Sequence, residues 1–183
     1  MCHQSCLDFG YKHLSKSLCS GKRILEVGSL NINGSLRSSV IPFIPSKYLG
    51  VDIVPGKGVD SLCHCEDLVI HFLQDSFDIV IATELLEHVN NWKAAISNIK
   101  IVCKPLGHIL ITTRSPGFAY HPCPIDIWRY TVLDFEFIFN DFTIIDLCSD
   151  PEAPGVFIFA QKPLHFIENT LDTFSISKVN PIP

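Results

Sequence analysis

Glu26, Gly28 and Asp52 are spaced to hold a nucleoside. Glu26 lies in the apolar run Ile24-Leu25-Glu26-Val27, and the chain then breaks at Gly28. A second apolar run, Tyr48 to Val51, ends at Asp52, about 24 residues past Gly28. Nucleotide-binding βαβ units keep a gap of roughly 20 residues there. Two carboxylates at the carboxyl ends of neighbouring parallel strands bracket a ligand. The glycine lets backbone approach it, and the second acid accepts hydrogen bonds from ribose hydroxyls.

A second concentration of chemistry is the segment from Arg114 to Tyr130, rich in proline and aromatic residues. Prolines stiffen it, while aromatics and two arginines supply a platform and anion-binding groups. Arg114, Tyr120, Trp128 and Arg129 are its candidate substrate contacts. His121 is the first candidate for a general base, because imidazole titrates near neutrality; Asp126 is the second. Asp126 and Arg129 also stand at i,i+3 spacing and can simply pair, and Trp128 can simply plug the core. The favoured expectation is a substrate lid framed by that pair.

The eight cysteines form no pair of Cys-x-x-Cys knuckles, so a zinc framework is not expected. Cys63-His64-Cys65 with His71, and Cys2, His3, Cys6 and His13, are weaker clusters than free thiols in a reducing compartment. His64-Cys65-Glu66 matches half of a zinc deaminase pattern. Its other half is missing, since Pro122-Cys123 runs on into Pro124, Ile125 and Asp126. No metal is expected.

The elements that must position these groups alternate. A leading helix is expected over Leu7 to Leu18, and strands over Ile24 to Val27 and Tyr48 to Ile53. Only a short helix fits between Ser35 and Ile44, because Pro42 and Pro45 interrupt it. Val59 to Leu62 reads as a brief strand, and Phe77 to Thr83 as one buried on both faces. Trp92 to Val102 is a helix capped by Asn90 or Asn91, with Trp92, Ala95, Ile96, Ile99 and Val102 on one stripe. A strand follows over His108 to Thr113, then a helix over Val132 to Phe139. Phe142 to Leu147 and Val156 to Gln161 have no helix between them and should pair antiparallel. The pattern is an α/β chain with one twisted sheet flanked by helices, whose ligand sits at the switch point beside the first strand. Residues 1–163 are expected as a single domain led by a helical cap over 1–21, with a polar tail over 164–183.

At 183 residues the chain suits one domain with a real core, and 47% apolar content excludes a disordered chain. The net charge is −5 with no Lys/Arg block, so phosphate-backbone binding has no electrostatic support and no nucleic-acid partner is expected. The sequence shows no secretory pattern and no apolar run approaching the roughly 18 residues of a membrane span. No membrane partner and a cytoplasmic location are the expectation. Oligomeric state has no sequence signal.

The order Ile24-Leu25-Glu26-Val27-Gly28, Tyr48-Leu49-Gly50-Val51-Asp52, Phe77 to Val89 (FDIVIATELLEHV) and Lys104-Pro105-Leu106-Gly107-His108-Ile109-Leu110 resembles the class I S-adenosylmethionine-dependent methyltransferases. The type 11 methyltransferase domain is the group it looks most like, over residues 22–163. The resemblance implies a Rossmann-like, mostly parallel seven-stranded sheet with helices on both faces and an antiparallel C-terminal strand. It implies S-adenosyl-L-methionine as cofactor. Glu26, Gly28 and Ser29 would face its methionine end, Asp52 its ribose, His64 and Cys65 its adenine, and Ala82 and Thr83 its amino-acid part.

Two departures from the family pattern stand out. The loop reads Glu26-Val27-Gly28-Ser29-Leu30-Asn31 where further glycines are common, with Asn31 the residue best able to adopt left-handed backbone. His64 stands where an aspartate is usual. Glu84, Glu87 and His88 read either as part of the family segment or simply as the acidic start of a helix, and His88 as structural or functional equally. The implied function is methyl transfer to a small-molecule or glycan-like acceptor. A catalytically degenerate S-adenosylmethionine-binding module acting through partner binding is the alternative. An NAD enzyme is disfavoured, because Gly-x-Gly-x-x-Gly is absent.

Overall fold

The protein is described here by a computed structural model covering residues 3–179. In chain order its elements are α1 (Gln4–His13), α2 (Lys16–Cys19), β1 (Arg23–Val27), α3 (Arg37–Val40), β2 (Lys47–Asp52), β3 (Ser61–Leu62), α4 (Leu68–Phe72), β4 (Phe77–Thr83), α5 (Trp92–Val102), β5 (Cys103–Arg114), β6 (Trp128–Arg129), α6 (Val132–Ile138), β7 (Thr143–Ser149), β8 (Gly155–Gln161) and β9 (Ser177–Lys178).

Successive strand side chains alternate between faces, and β4 shows the consequence. Ile79 and Ile81 join a core with Cys6 and Phe9 of α1 and Val40 of α3. Val80 and Ala82 join the opposite core with Ile96 and Ile99 of α5 and Phe135 of α6. Helices therefore cover both faces, as a strand apolar on both sides requires.

The seven-stranded sheet has the order β3-β2-β1-β4-β5-β8-β7. β1 to β5 are mutually parallel, and β8 runs antiparallel to both β5 and β7. The expected antiparallel C-terminal strand is thus β8, seated inside the sheet. The strand order reverses between β1 and β4, so a crevice opens at their carboxyl ends.

Local chemistry sets several boundaries. The leading helix is split: α1 ends at His13, and Ser15 caps α2 by accepting from Leu18 N at 3.3 Å. The break before Pro42 is as expected, with a 3₁₀ turn carrying the chain over Ile41–Phe43. Asn91 is the cap of α5, accepting from Ala94 N at 3.2 Å. α6 begins with a Thr131/Asp134 capping box.

The segment expected as a polar tail folds back in its described part. Leu171 is buried in the α5/α6 core, Phe166, Phe174 and Ile176 pack against it, and β9 pairs antiparallel with β6. Its apolar residues are spread among polar ones, so composition hid a segment that packs intermittently. Residues 180–183 of that segment and Cys2 of the amino-terminal cluster lie outside the described residues.

Candidate active site

The crevice at the switch point is a cavity of about 910 Å³, within the range of small-molecule sites. β1 delivers Glu26 to its wall. That carboxylate is buried, with Tyr48 Oη donating to Oε2 at 2.9 Å and Ser35 Oγ to Oε1 at 3.2 Å. Burial pushes its pKa up to about 7, against the opposing pull of Tyr48 and Ser35.

Gly28 follows at φ +73°, and a Cβ there would meet Leu85 Cδ1 at 3.0 Å. Glycine is needed at this position for both reasons. Ser29 is buried on the same wall, and its Oγ has no protein partner among the described residues. The loop then takes a course unlike the one expected of Asn31. Asn31 has no positive φ; instead its side chain accepts from Gly34 N at 3.0 Å and its N–H donates to the Lys57 carbonyl at 2.8 Å. Asn31 closes a turn rather than relaxing the backbone.

Asp52 ends β2 on the cavity rim. Its Oδ2 accepts from Leu30 N at 3.1 Å and its Oδ1 from Val54 N at 3.2 Å. The acid therefore also ties the glycine loop to the strand beside it. Cys65 is buried and His64 exposed at the same cavity, and Thr83 reaches it from the end of β4. Burial holds the Cys65 thiol well above its usual range, so it stays neutral. Ala82 is the exception in this set: it faces the α5/α6 core and does not line the cavity.

The segment after β5 covers one side of the opening. His121 and residues 122–125 line the cavity, whereas Tyr120, Asp126, Trp128 and Arg129 do not. Asp126 and Arg129 form the expected pair, buried and bidentate, at 2.5 and 2.7 Å. Asp126 Oδ2 also accepts from His121 N at 2.8 Å, so the pair frames the backbone that presents His121. Trp128 Nε1 donates to the Val89 carbonyl at 2.8 Å and packs against the core. Tyr120 is exposed.

Arg114 is placed differently from the expectation of a substrate contact. It is fully buried, ion-paired to Glu84 and to Asp150 (2.9 Å), with the Phe118 ring stacked 4.3 Å from its guanidinium. Its side chain fastens the end of β5 to the chain before β8. A buried guanidinium with two carboxylate partners has little to offer a ligand.

A cluster not expected as a unit lies at the cavity wall. Glu87 is fully buried beneath His88 and His121, with Nε2 of the two rings 3.7 and 3.8 Å from its Oε1. The Glu87 carboxylate raises the His121 pKa above the ordinary imidazole value, burial opposes it, and Asp126 adds to the rise. Glu87 and His88 sit on a 3₁₀ turn, Leu86–His88, and the helix proper starts only at Trp92. The strand-to-turn step at Glu84, with φ +53°, delivers them to the site.

Residues 6–149 match a family described as "Methyltransferase domain". Among curated proteins, the chain is 27% identical over 133 residues to the "Ubiquinone biosynthesis O-methyltransferase" of Coxiella burnetii, covering 66% of this chain. It spans about half (52%) of that relative's length. Among solved structures, a Mesorhizobium loti S-adenosylmethionine-dependent methyltransferase aligns with TM-score 0.61 and 17% identity, over 79% of this chain and 93% of that one. The Burkholderia thailandensis 1,6-didemethyltoxoflavin-N1-methyltransferase, solved with 1,6-didemethyltoxoflavin and S-adenosylhomocysteine, aligns with TM-score 0.64 and 14% identity, over 86% and 78%. At these identities the solved structures establish the shared fold.

Proposed function

Because the chain belongs to this methyltransferase-domain family and has the class I fold, we propose that it transfers a methyl group from S-adenosyl-L-methionine to an oxygen of a small-molecule or glycan-like acceptor. One observation carries the reading. Glu26, Gly28, Ser29, Asp52, His64, Cys65 and Thr83 line the same cavity as His121 and the segment around it. The pocket fits the cofactor in kind: the unpartnered Ser29 Oγ offers a polar contact, and at Gly28 backbone replaces a side chain. The oxygen acceptor is supported by the Coxiella burnetii relative's name, and a small acceptor by the ligand of the Burkholderia thailandensis neighbour.

When bound, the cofactor supplies a methyl group on an already activated sulfonium. The chain's own work is then to align the acceptor and exclude water. Asp52 takes the ribose hydroxyls, and Glu26 with Gly28 and Ser29 takes the amino-acid end. His64 and Cys65 border the adenine. His121 faces the acceptor and accepts its proton on Nε2, with Asp126 beside Nδ1 steadying the ring. Arg129, Trp128 and Arg114 hold the covering segment rather than touching the acceptor. We place the protein in the cytoplasm, where its seven described free cysteines suit a reducing milieu. Among the described residues no helix is long and apolar enough to cross a membrane.

Calorimetric titration with S-adenosylmethionine, S-adenosylhomocysteine and NAD tests the cofactor. Binding of the first two in the micromolar range, about −8 kcal/mol, is expected. A screen of small-molecule extracts and glycans with labelled cofactor then tests the transfer. Cofactor binding with no labelled product from any acceptor would favour the non-catalytic binding module. In a transferring enzyme, His121→Ala should spare cofactor affinity and lower turnover by about 10²-fold.

A further inference from the structure

The carboxylate of Glu87 is buried with one oxygen satisfied and one not. Thr113 Oγ1 donates to Oε2 at 2.8 Å, while Oε1 has no hydrogen-bond partner among the described residues. That oxygen faces Nε2 of His88 at 3.7 Å and Nε2 of His121 at 3.8 Å. The other nitrogen of each ring decides what those Nε2 atoms carry. His88 Nδ1 lies 2.5 Å from the Ile125 carbonyl, and His121 Nδ1 lies 3.1 Å from the Ala119 carbonyl. A carbonyl only accepts, so in each neutral ring the proton is on Nδ1 and Nε2 presents a lone pair.

Three potential ligand atoms therefore converge, one from each residue and all within 4.8 Å of one another, and when both rings are neutral no donor stands among them. A buried carboxylate oxygen turned toward two imidazoles calls for positive charge between them, and either a proton on one ring or a bound cation in its place supplies it. From this geometry we propose that Glu87, His88 and His121 form a binding site for a divalent cation of the zinc class, with Glu87 Oε1 and the two Nε2 atoms as ligands.

The surroundings match such a site. Two imidazoles and one carboxylate form a three-ligand set that leaves a coordination position open. His88 and His121 both line the cavity, so the open position faces the ligand space. The observed separations of 3.7 and 3.8 Å are a few tenths above the about 3.4 Å kept by two ligands some 2.1 Å from a tetrahedral ion. A small contraction brings each histidine to that distance from Glu87, and the two histidine ligand atoms lie within 4.8 Å of each other. Each histidine already holds its second nitrogen on an oxygen acceptor, as metal-bound histidines do. His121 has Asp126 Oδ2 3.0 Å from Nδ1 in addition, and Asp126 is itself fixed by Arg129. Glu84, the other acid of this segment, is committed to Arg114.

With the ion bound the Nε2 lone pair is a ligand, so the base role proposed above for His121 belongs to the ion-free protein. That the ion's open position holds an acceptor oxygen rests on the proposed methyl transfer; the ion site does not.

The test uses full-length protein stripped with a chelator and desalted, titrated with Zn²⁺ by calorimetry and with Co²⁺ by visible absorption. One ion per chain should bind, at micromolar affinity or tighter, with d–d bands of a nitrogen- and oxygen-ligated Co²⁺ ion. His88→Ala and His121→Ala, each verified as folded by circular dichroism, should weaken that binding by about 100-fold or more. Glu87→Gln should do the same if it folds. No binding, binding unchanged in both histidine variants, or a thiolate charge-transfer band placing the ion on cysteines would overturn the proposal. Any of those results leaves the cofactor titration and the methyl-transfer screen standing on their own.

Discussion

Arg129 closes on both oxygens of Asp126, and the same Asp126 accepts the backbone N–H of His121, five residues before it. One carboxylate thus joins the frame of the covering segment to the residue that faces the cavity. Both members of the pair are buried. Removing Arg129 leaves the buried Asp126 with only its His121 contacts, so Arg129→Ala should destabilise the fold, by up to about 3–5 kcal/mol. The double variant Asp126→Leu/Arg129→Met should recover part of that loss. Urea denaturation of the two singles and the double measures the coupling. Strictly additive losses would mean that the pair does not act as one unit.

Asp52 accepts backbone N–H groups from both sides, Leu30 and Val54, while lining the cavity. Asp52→Ala should weaken S-adenosylmethionine binding by about 1.5–3 kcal/mol for each charged hydrogen bond removed. Thermal stability should fall much less, because the residue lies at a strand end. Affinity equal to the parent's would move the ribose contact elsewhere.

Glu26 sets a pH dependence whose sign follows from its burial. In the folded chain its pKa is about 7, against the ordinary 4.5. The folded state therefore holds a proton that the unfolded state has released. This contribution to stability is full below about pH 4.5 and is lost as pH rises through about 7. A cationic cofactor ammonium favours the ionised form, so S-adenosylmethionine affinity should climb toward pH 7 and then level. Calorimetry in buffers of different ionisation enthalpy should show proton release on binding below pH 7. Glu26→Gln should flatten the profile, and a flat profile in the parent protein would refute the assignment.

Leu171 is buried in the α5/α6 core, although it belongs to the carboxyl-terminal segment. We propose that residues 164–179 are part of the same folding unit as the sheet. Leu171→Ala should cost about 2–5 kcal/mol, and ending the chain at Pro163 should cost more. If the shortened protein melted at the parent temperature, the segment would be a passive appendage.

Much of this architecture was legible in the sequence because its signals are local. A run such as Phe77 to Thr83, apolar on both faces from Ile79 to Ala82, has to be covered on both sides. Prolines at 42 and 45 cut a helix short wherever they occur. Alternating strands and crossovers force a parallel sheet, and a parallel sheet puts its ligand crevice beside the first strand. Glu26, Gly28, Ser29, Asp52, His64, Cys65 and Thr83 were placed by that logic and by the family resemblance, and they share one cavity.

Other features depend on groups that meet only after the chain closes. Arg114 has the composition of an anion-binding residue, and it is the arrival of Asp150 and Glu84 that takes it out of the site. Phe166, Leu171, Phe174 and Ile176 look sparse in a polar stretch until α5 and α6 present a surface for them. Glu87 and His88 read equally well as the start of a helix. They stand 34 and 33 residues before His121, with a whole helix and strand between them. No spacing rule joins residues so far apart. The pairing of β4 with β5 carries their two loops to the same end of the sheet, and the backbone bond from Ile127 N to the Glu87 carbonyl holds the covering segment against the turn. Only that closure turns a buried carboxylate and two distant imidazoles into a single convergent set of ligands.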